Sequence, residues 1–243
     1  MIEKDLEVLE RKAAILTDAL PYIRDFNQQI VVIEYNCGEW LSKIEEQRMM
    51  KDIVLLKSVG MYPIVVHNTE MGVDKFRENK RIAKLLELCG TKAIGICGVD
   101  QETIRMLLDH DYIPVIVPND IDNEMEYIDP RDTALEVAEI MKADKLIYLS
   151  RYEGIYIDET RQKVYPRITV AEIEEQKKIR NFPAEFLEFV DRGMEAVHRG
   201  VNRAHILDGR IEHVLLIEFF SVIGAGTVII EDEKKLYVHE LEL

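Results

Sequence analysis

Residues 30–37 read Ile30-Val31-Val32-Ile33-Glu34-Tyr35-Asn36-Cys37. A compact apolar run bounded by polar residues is the pattern of a strand buried on both faces, as strands of a parallel sheet are. Similar runs recur at 63–66, 93–96, 114–117, 145–149, 205–206 and 227–230. Segments of helical spacing separate them. Residues 6–26 place Leu6, Leu9, Ala13, Leu16, Leu20 and Ile23 on one stripe, with Pro21 expected to kink it or to start a new turn. Further helices are predicted over 47–59, 79–88, 101–108, 132–141, 185–199 and 212–219, with Gly60, Gly90 and Gly200 as stops. Another opens near Val170, where Thr169 and Glu172 have capping-box spacing. Residues 235–238 read as an edge strand. Strand–helix alternation with short connections predicts an α/β fold, a three-layer α/β/α sandwich around a mainly parallel central sheet. No low-complexity tether interrupts it, so one domain is expected, with lobes of about 1–143 and 144–243 meeting at a hinge near 143–148.

The chain has 243 residues, of which 47% are hydrophobic, enough to bury a sizeable core. Its net charge of −15 disfavours nucleic acid and anionic membrane as partners, because both require a cationic surface. The three cysteines, Cys37, Cys89 and Cys97, form no disulfide framework. Cys89 and Cys97 flank a strand and are expected to be buried small hydrophobes, whereas Cys37 follows the first strand and is the one open to reactivity. No CxxC or HxxxH spacing suggests a metal site. The first residues, MIEKDLEVLERKAAIL, lack a basic n-region and an apolar h-region, and no apolar run has membrane-spanning length. A cytoplasmic location is the expectation.

Four segments, in order, resemble the acetylglutamate kinases of the amino acid kinase family. Asp18-Ala19-Leu20-Pro21-Tyr22-Ile23 resembles that family's ALPYI helix, and Lys51-Asp52-Ile53-Val54-Leu55-Leu56-Lys57 with Val59-Gly60 its DIVLLKxVG. His205-Ile206-Leu207-Asp208-Gly209-Arg210 resembles HIIDGR, and Gly224-Ala225-Gly226-Thr227-Val228-Ile229 resembles GIGTMI. The resemblance covers most of the chain. It implies the amino acid kinase fold with an acceptor-type lobe before a nucleotide-type lobe, an ATP-dependent carboxylate kinase of arginine biosynthesis, and a homodimer formed through a helix of the first lobe. The apolar positions at 53–59, with Ile82, Leu85 and Leu86, are candidates for that contact.

The positions that carry the family's chemistry depart from it. The family's first strand and phosphate loop, VIKYGG, align with residues 30–37, so Glu34 stands where a lysine is expected and Asn36-Cys37 replace the glycine pair. Lysine there neutralises phosphoryl charge in the transition state; a glutamate is expected to repel it. HGGGP becomes His67-Asn68-Thr69-Glu70-Met71, which keeps the histidine but none of the glycines that let backbone approach phosphate. No GLR motif follows; Val73-Asp74-Lys75-Phe76-Arg77 joins almost directly to the next helix, and Gly98-Val99-Asp100 stands for SGKDG before a second shortened hairpin. Asp132-Thr133-Ala134 resembles NADTAA, making Asp132 the one retained catalytic position, although without lysine partners it also reads as a helix N-terminal carboxylate. DVPGV becomes Arg151-Tyr152-Glu153-Gly154-Ile155, keeping Gly154. Phe189 stands where the second lysine of GGMIPK belongs, after Ala184, Glu185 and Glu188.

Three functions remain open. The favoured one is a non-catalytic paralogue that binds a small molecule of unknown identity, with Glu34, Asn36, His67, Asn68, Glu70, Arg151 and Gly154 as candidate ligand residues. The second is an enzyme of altered chemistry built on Glu34, His67, Glu70 and Asp132. The third is a kinase with relocated cations, such as Lys75, Arg77 or Arg151. ATP and magnesium are implied only in that last case.

Overall fold

The computed structural model describes residues 2–35, 40–67, 74–118, 128–156, 164–179, 182–221 and 223–232. A long helix, α1 (Ile2–Phe26), leads into β1 (Ile30–Tyr35), α2 (Lys43–Ser58), β2 (Tyr62–His67), α3 (Lys75–Leu88), β3 (Lys92–Cys97), α4 (Gln101–Asp109), β4 (Tyr112–Val117), α5 (Pro130–Met141) and β5 (Lys145–Ser150). There follow β6 (Arg167–Thr169), α6 (Val170–Ile179), α7 (Ala184–His198), β7 (Arg203–Asp208), α8 (Val214–Phe220) and β8 (Gly226–Ile230). These strands form one sheet in the order β3-β4-β2-β1-β5-β7-β8-β6. All pairs are parallel except β7 with β8. The expected α/β sandwich with a mainly parallel sheet is present, with β1 and β5 paired at its centre.

Alternation along β1 sorts the two cores. Ile30 and Val32 share one face with Ile64, Val66, Leu146, Tyr148, Ala134 and Val190. Val31, Ile33 and Tyr35 share the other with Val65, Ile147, Ile53, Leu86 and Phe219. Side chains two apart on a strand point the same way, so Glu34 belongs to the first face. That face is covered by α5 and α7, and the opposite one by α2, α3 and α8.

Several helices begin earlier than the apolar spacing predicts, because their capping residues lie upstream of the first buried side chain. Ser42 and Glu45 close a capping box that starts α2, and the Asp74 carboxylate accepts from two backbone N–H groups at the start of α3. The expected box at Thr169 is formed: Glu172 Oε2 accepts from the Thr169 N–H at 2.8 Å, and Thr169 Oγ1 from the Glu172 N–H at 3.2 Å. Helix α2 stops before Gly60, whose φ is +98°. Pro21 lies inside α1 and neither ends it nor starts a new element. Strand β6 departs from the sequence reading; at three residues it is too short to show a period and exists through its pairing with β8. The proposed strand at 235–238 lies outside the described residues.

Two expectations are corrected. Of the positions expected to meet a second chain (53–59, Ile82, Leu85 and Leu86), Ile53, Leu56, Ile82 and Leu86 are in the core, whereas Leu55, within that set, and Leu88, outside it, are exposed. Cys97 is exposed at the end of β3, an edge strand with one neighbour, and Cys89, at the C-cap of α3, is only half-buried. Cys37 lies outside the described residues.

Candidate functional site

Glu34 is the penultimate residue of β1, in register with Tyr148 on β5 and Val66 on β2. Ligands of parallel α/β sheets gather at these C-terminal strand ends. The Glu34 side chain is 1% exposed, and its Oε1 has no hydrogen-bond partner among the described residues. Burial pushes its pKa up to about 8; Arg131 pulls the other way, Asp129 adds to the rise and Arg192 opposes it. At neutral pH the carboxyl is therefore mostly protonated. At this strand end Glu34 thus withholds a positive charge rather than adding a full negative one. Tyr148 is fully buried, and its hydroxyl is also without a partner among the described residues. Burial and then the nearby Glu34 hold that phenol well above the ordinary tyrosine range.

Phe189, from α7, meets the Tyr148 ring edge-to-face at 6.2 Å, and the Arg131 guanidinium lies 5.6 Å from the Phe189 ring centre. Where the resemblance predicts lysine, an aromatic ring packs against the glutamate's neighbour. Arg131 comes from the first turn of α5. Asp129 caps that helix, accepting from the Arg131 N–H at 2.9 Å, and Pro130 occupies the position where a missing N–H costs nothing. Asp129 also binds the Arg131 side chain at 2.8 and 3.0 Å, while Arg131 Nη1 reaches Glu188 at 2.6 Å. Arg192 lies one helical turn beyond Phe189, on the same side of α7. It donates to Asp129 at 2.9 Å and to Asp132 at 2.8 Å. Burial works against the Asp129 charge, but the Arg131 hydrogen bonds outweigh it and hold that carboxyl below the usual range. Two arginines thus face three carboxylates, Asp129, Asp132 and Glu188. Among the described residues this network is tightly paired and carries no surplus positive charge.

The sequence-derived candidates do not converge on one point. Asp132 joins this network, but its side chain is 59% exposed. Asp129, not Asp132, is the helix cap. His67 ends β2 in register with Tyr35, which places it on the opposite face of the sheet from Glu34. There its Nε2 lies 2.9 Å from Asn79 Nδ2, which also donates to the Val115 carbonyl. Arg151 is exposed, and its carbonyl accepts from Arg210, which is itself held by Asp208. Gly154 has φ of +139°, and a Cβ there would lie 2.5 Å from Thr227 Oγ1, the atom that accepts from the Ile155 N–H. Its retention serves this turn. Phe186, 1% exposed, meets the rings of Tyr152 at 4.7 Å and Tyr156 at 5.4 Å, the residues two before and two after this glycine. Lys75 and Arg77 lie in the first turn of α3, Lys75 over the Phe76 ring at 5.3 Å. Asn36, Asn68 and Glu70 lie outside the described residues.

Arg131 and Arg192 were not among the sequence candidates. The available signals were Asp129-Pro130 as a helix start, which fixes Arg131 in the first turn, and the three-residue step from Phe189 to Arg192. Among the described residues no group of three or more His, Cys, Asp and Glu side chains is placed to hold a metal ion, and no helix is long and apolar enough to cross a membrane.

The sheet order belongs to an α/β fold shared with solved proteins. The chain superposes on N-acetylglutamate synthase from Neisseria gonorrhoeae, complexed with coenzyme A and N-acetyl-glutamate, with a TM-score of 0.76 at 19% identity, covering 90% of this chain and 63% of that one. It also superposes on carbamate kinase from Giardia lamblia bound to AMP-PNP, with a TM-score of 0.65 at 13% identity, covering 84% and 99%. At these identities the likeness is one of fold. The family model for the amino acid kinase family matches residues 82–208. Acetylglutamate kinase of Thermoanaerobacter pseudethanolicus is 31% identical over 90% of this chain and 93% of its own length, and that of Caldicellulosiruptor bescii 29% identical over 93% and 99%. The chain belongs to the amino acid kinase family, among its acetylglutamate kinase-like members. The second alignment spans 289 positions against the 243 residues here, as the shortened segments require.

Proposed function

We propose that this chain has lost phosphoryl transfer and serves as a small-molecule-binding, regulatory member of its family. One observation carries the reading: at the end of the central strand, where the family resemblance calls for a cation, Glu34 is a buried carboxyl whose pKa lies near 8. Phosphoryl transfer depends on positioning and on cationic stabilisation, so the protein has little else to offer the reaction. The described residues do not fit ATP with magnesium: the arginines beside Glu34 are consumed by carboxylates, and rings pack against the retained Gly154 turn. A coupled assay of ADP release from ATP, magnesium and N-acetylglutamate tests this, with no turnover above background expected.

A second reading has its own observation. Arg192 is bound by Asp132, the retained family aspartate, one turn from the expected lysine. An active kinase that uses arginines in place of lysines would be built this way, and turnover abolished by Asp132→Ala would select it. The homodimer remains part of the proposal, with Leu55 and Leu88 as exposed apolar positions that could meet a second copy. Light scattering at micromolar concentration is expected to give the mass of two chains; the mass of one would refute it.

A further inference from the structure

Glu34 and Tyr148 are register partners on adjacent central strands, so their side chains leave the same face of the sheet. Both are buried, and each has a polar atom without a hydrogen-bond partner among the described residues, Oε1 in one and the hydroxyl in the other. An unpaired buried polar group costs about 1–3 kcal/mol, and folded proteins leave few of them. Two in register at a ligand-binding strand end call for a common partner.

We propose that the Glu34 carboxyl and the Tyr148 hydroxyl together donate to one acceptor oxygen of a small carboxylate or carboxamide ligand. This rests on the reading of the site as one that binds without transferring phosphate. Burial keeps both groups protonated at neutral pH, so both are O–H donors. A protonated carboxylic acid beside a tyrosine hydroxyl is an established way to hold an oxygen. The charges around the pair select the ligand. Asp129, Arg131 and Asp132 approach from α5 and its cap, and Glu188 and Arg192 from α7. An organic cation would have to sit close to two guanidinium groups, which repel it. A phosphate dianion would need surplus positive charge, which the three carboxylates have consumed. A neutral or singly charged oxygen suits two neutral donors. Phe189 supplies an apolar wall against Tyr148.

The test is titration calorimetry of the full chain with acetate, acetamide, N-acetyl-L-glutamate, inorganic phosphate and choline, at pH 7 and pH 9. The carboxylate probes stay ionised across this range. Asp129 is held lower, and Arg131 and Arg192 higher, than this window. The carboxylate and carboxamide probes are expected to bind at pH 7 and to weaken about tenfold by pH 9, as Glu34 loses its proton. Glu34→Gln keeps an N–H donor without a titration, so it should bind at both pH values and lose the dependence. Tyr148→Phe should bind about tenfold more weakly at pH 7. If Tyr148→Phe fails to fold, as read by circular dichroism, the pH profile of wild type against Glu34→Gln decides alone. The proposal is overturned by oxygen ligands that fail to bind or bind independently of pH, by preference for phosphate, or by choline binding that strengthens with pH. ADP release would refute the loss of phosphoryl transfer while leaving this pH comparison to judge the donor pair separately.

Discussion

Glu34→Gln is expected to stabilise the folded chain at pH 7 by about 3 kcal/mol, an unusual result for a substitution at a candidate functional site. The Glu34 pKa moves from 4.5 to about 8 on folding. Between those values the native state holds a proton that the unfolded chain releases, so wild-type stability falls as pH rises through that window. Below 4.5 both states are protonated and the penalty vanishes; above about 8 both are ionised and it is constant. Glutamine never ionises and keeps the shape of the neutral acid. The gap between variant and wild type should therefore open from pH 4.5 and reach its maximum near pH 8. Urea unfolding at a series of pH values measures it. A variant less stable than wild type at pH 7, or a gap that widens toward acid, would contradict the assignment.

The larger expected effect is on catalysis. Each preorganised electrostatic group in a transition-state site is worth about 3–4 kcal/mol, roughly a hundred- to a thousandfold in rate. On the proposed reading, Glu34 and Phe189 stand in place of two such groups, and Asn68-Thr69-Glu70-Met71 in place of a glycine backbone cradle. Restoring lysine at one or both positions is expected to leave ADP release at background. Glu34→Lys would bury an ammonium close to Arg131 and Arg192, and Phe189→Lys would remove the ring that packs on Tyr148. Turnover of roughly 1–100 per second in the wild type, abolished by Asp132→Ala, would instead establish an arginine-based kinase.

The fold was legible because apolar runs and helical stripes alternate cleanly, so β1 to β5 and β7 stand within a few residues of their expected positions. Helix starts were less legible at Ser42, Asp74 and Asp129, where polar caps carry no apolar period. Glu34 was visible in the sequence as the wrong residue for a lysine position. Its chemistry was not, since a sequence gives a formal charge and not the burial that removes it. Tyr148, Arg131 and Arg192 reach Glu34 from a neighbouring strand and two helices, through pairings that no local pattern encodes. His67 shows the same limit. Its face relative to Glu34 depends on the register of β1 with β2, which places Tyr35 and not Glu34 opposite it.

The proposed donor pair requires Glu34 to be a neutral acid in the folded chain. Carbon-13 NMR of protein labelled at the glutamate side-chain carboxyls, with the Glu34 resonance assigned by its loss in Glu34→Gln, reads that state directly. A buried, proton-bearing Glu34 predicts a titration midpoint near pH 8; a midpoint near the ordinary 4.5 would contradict it.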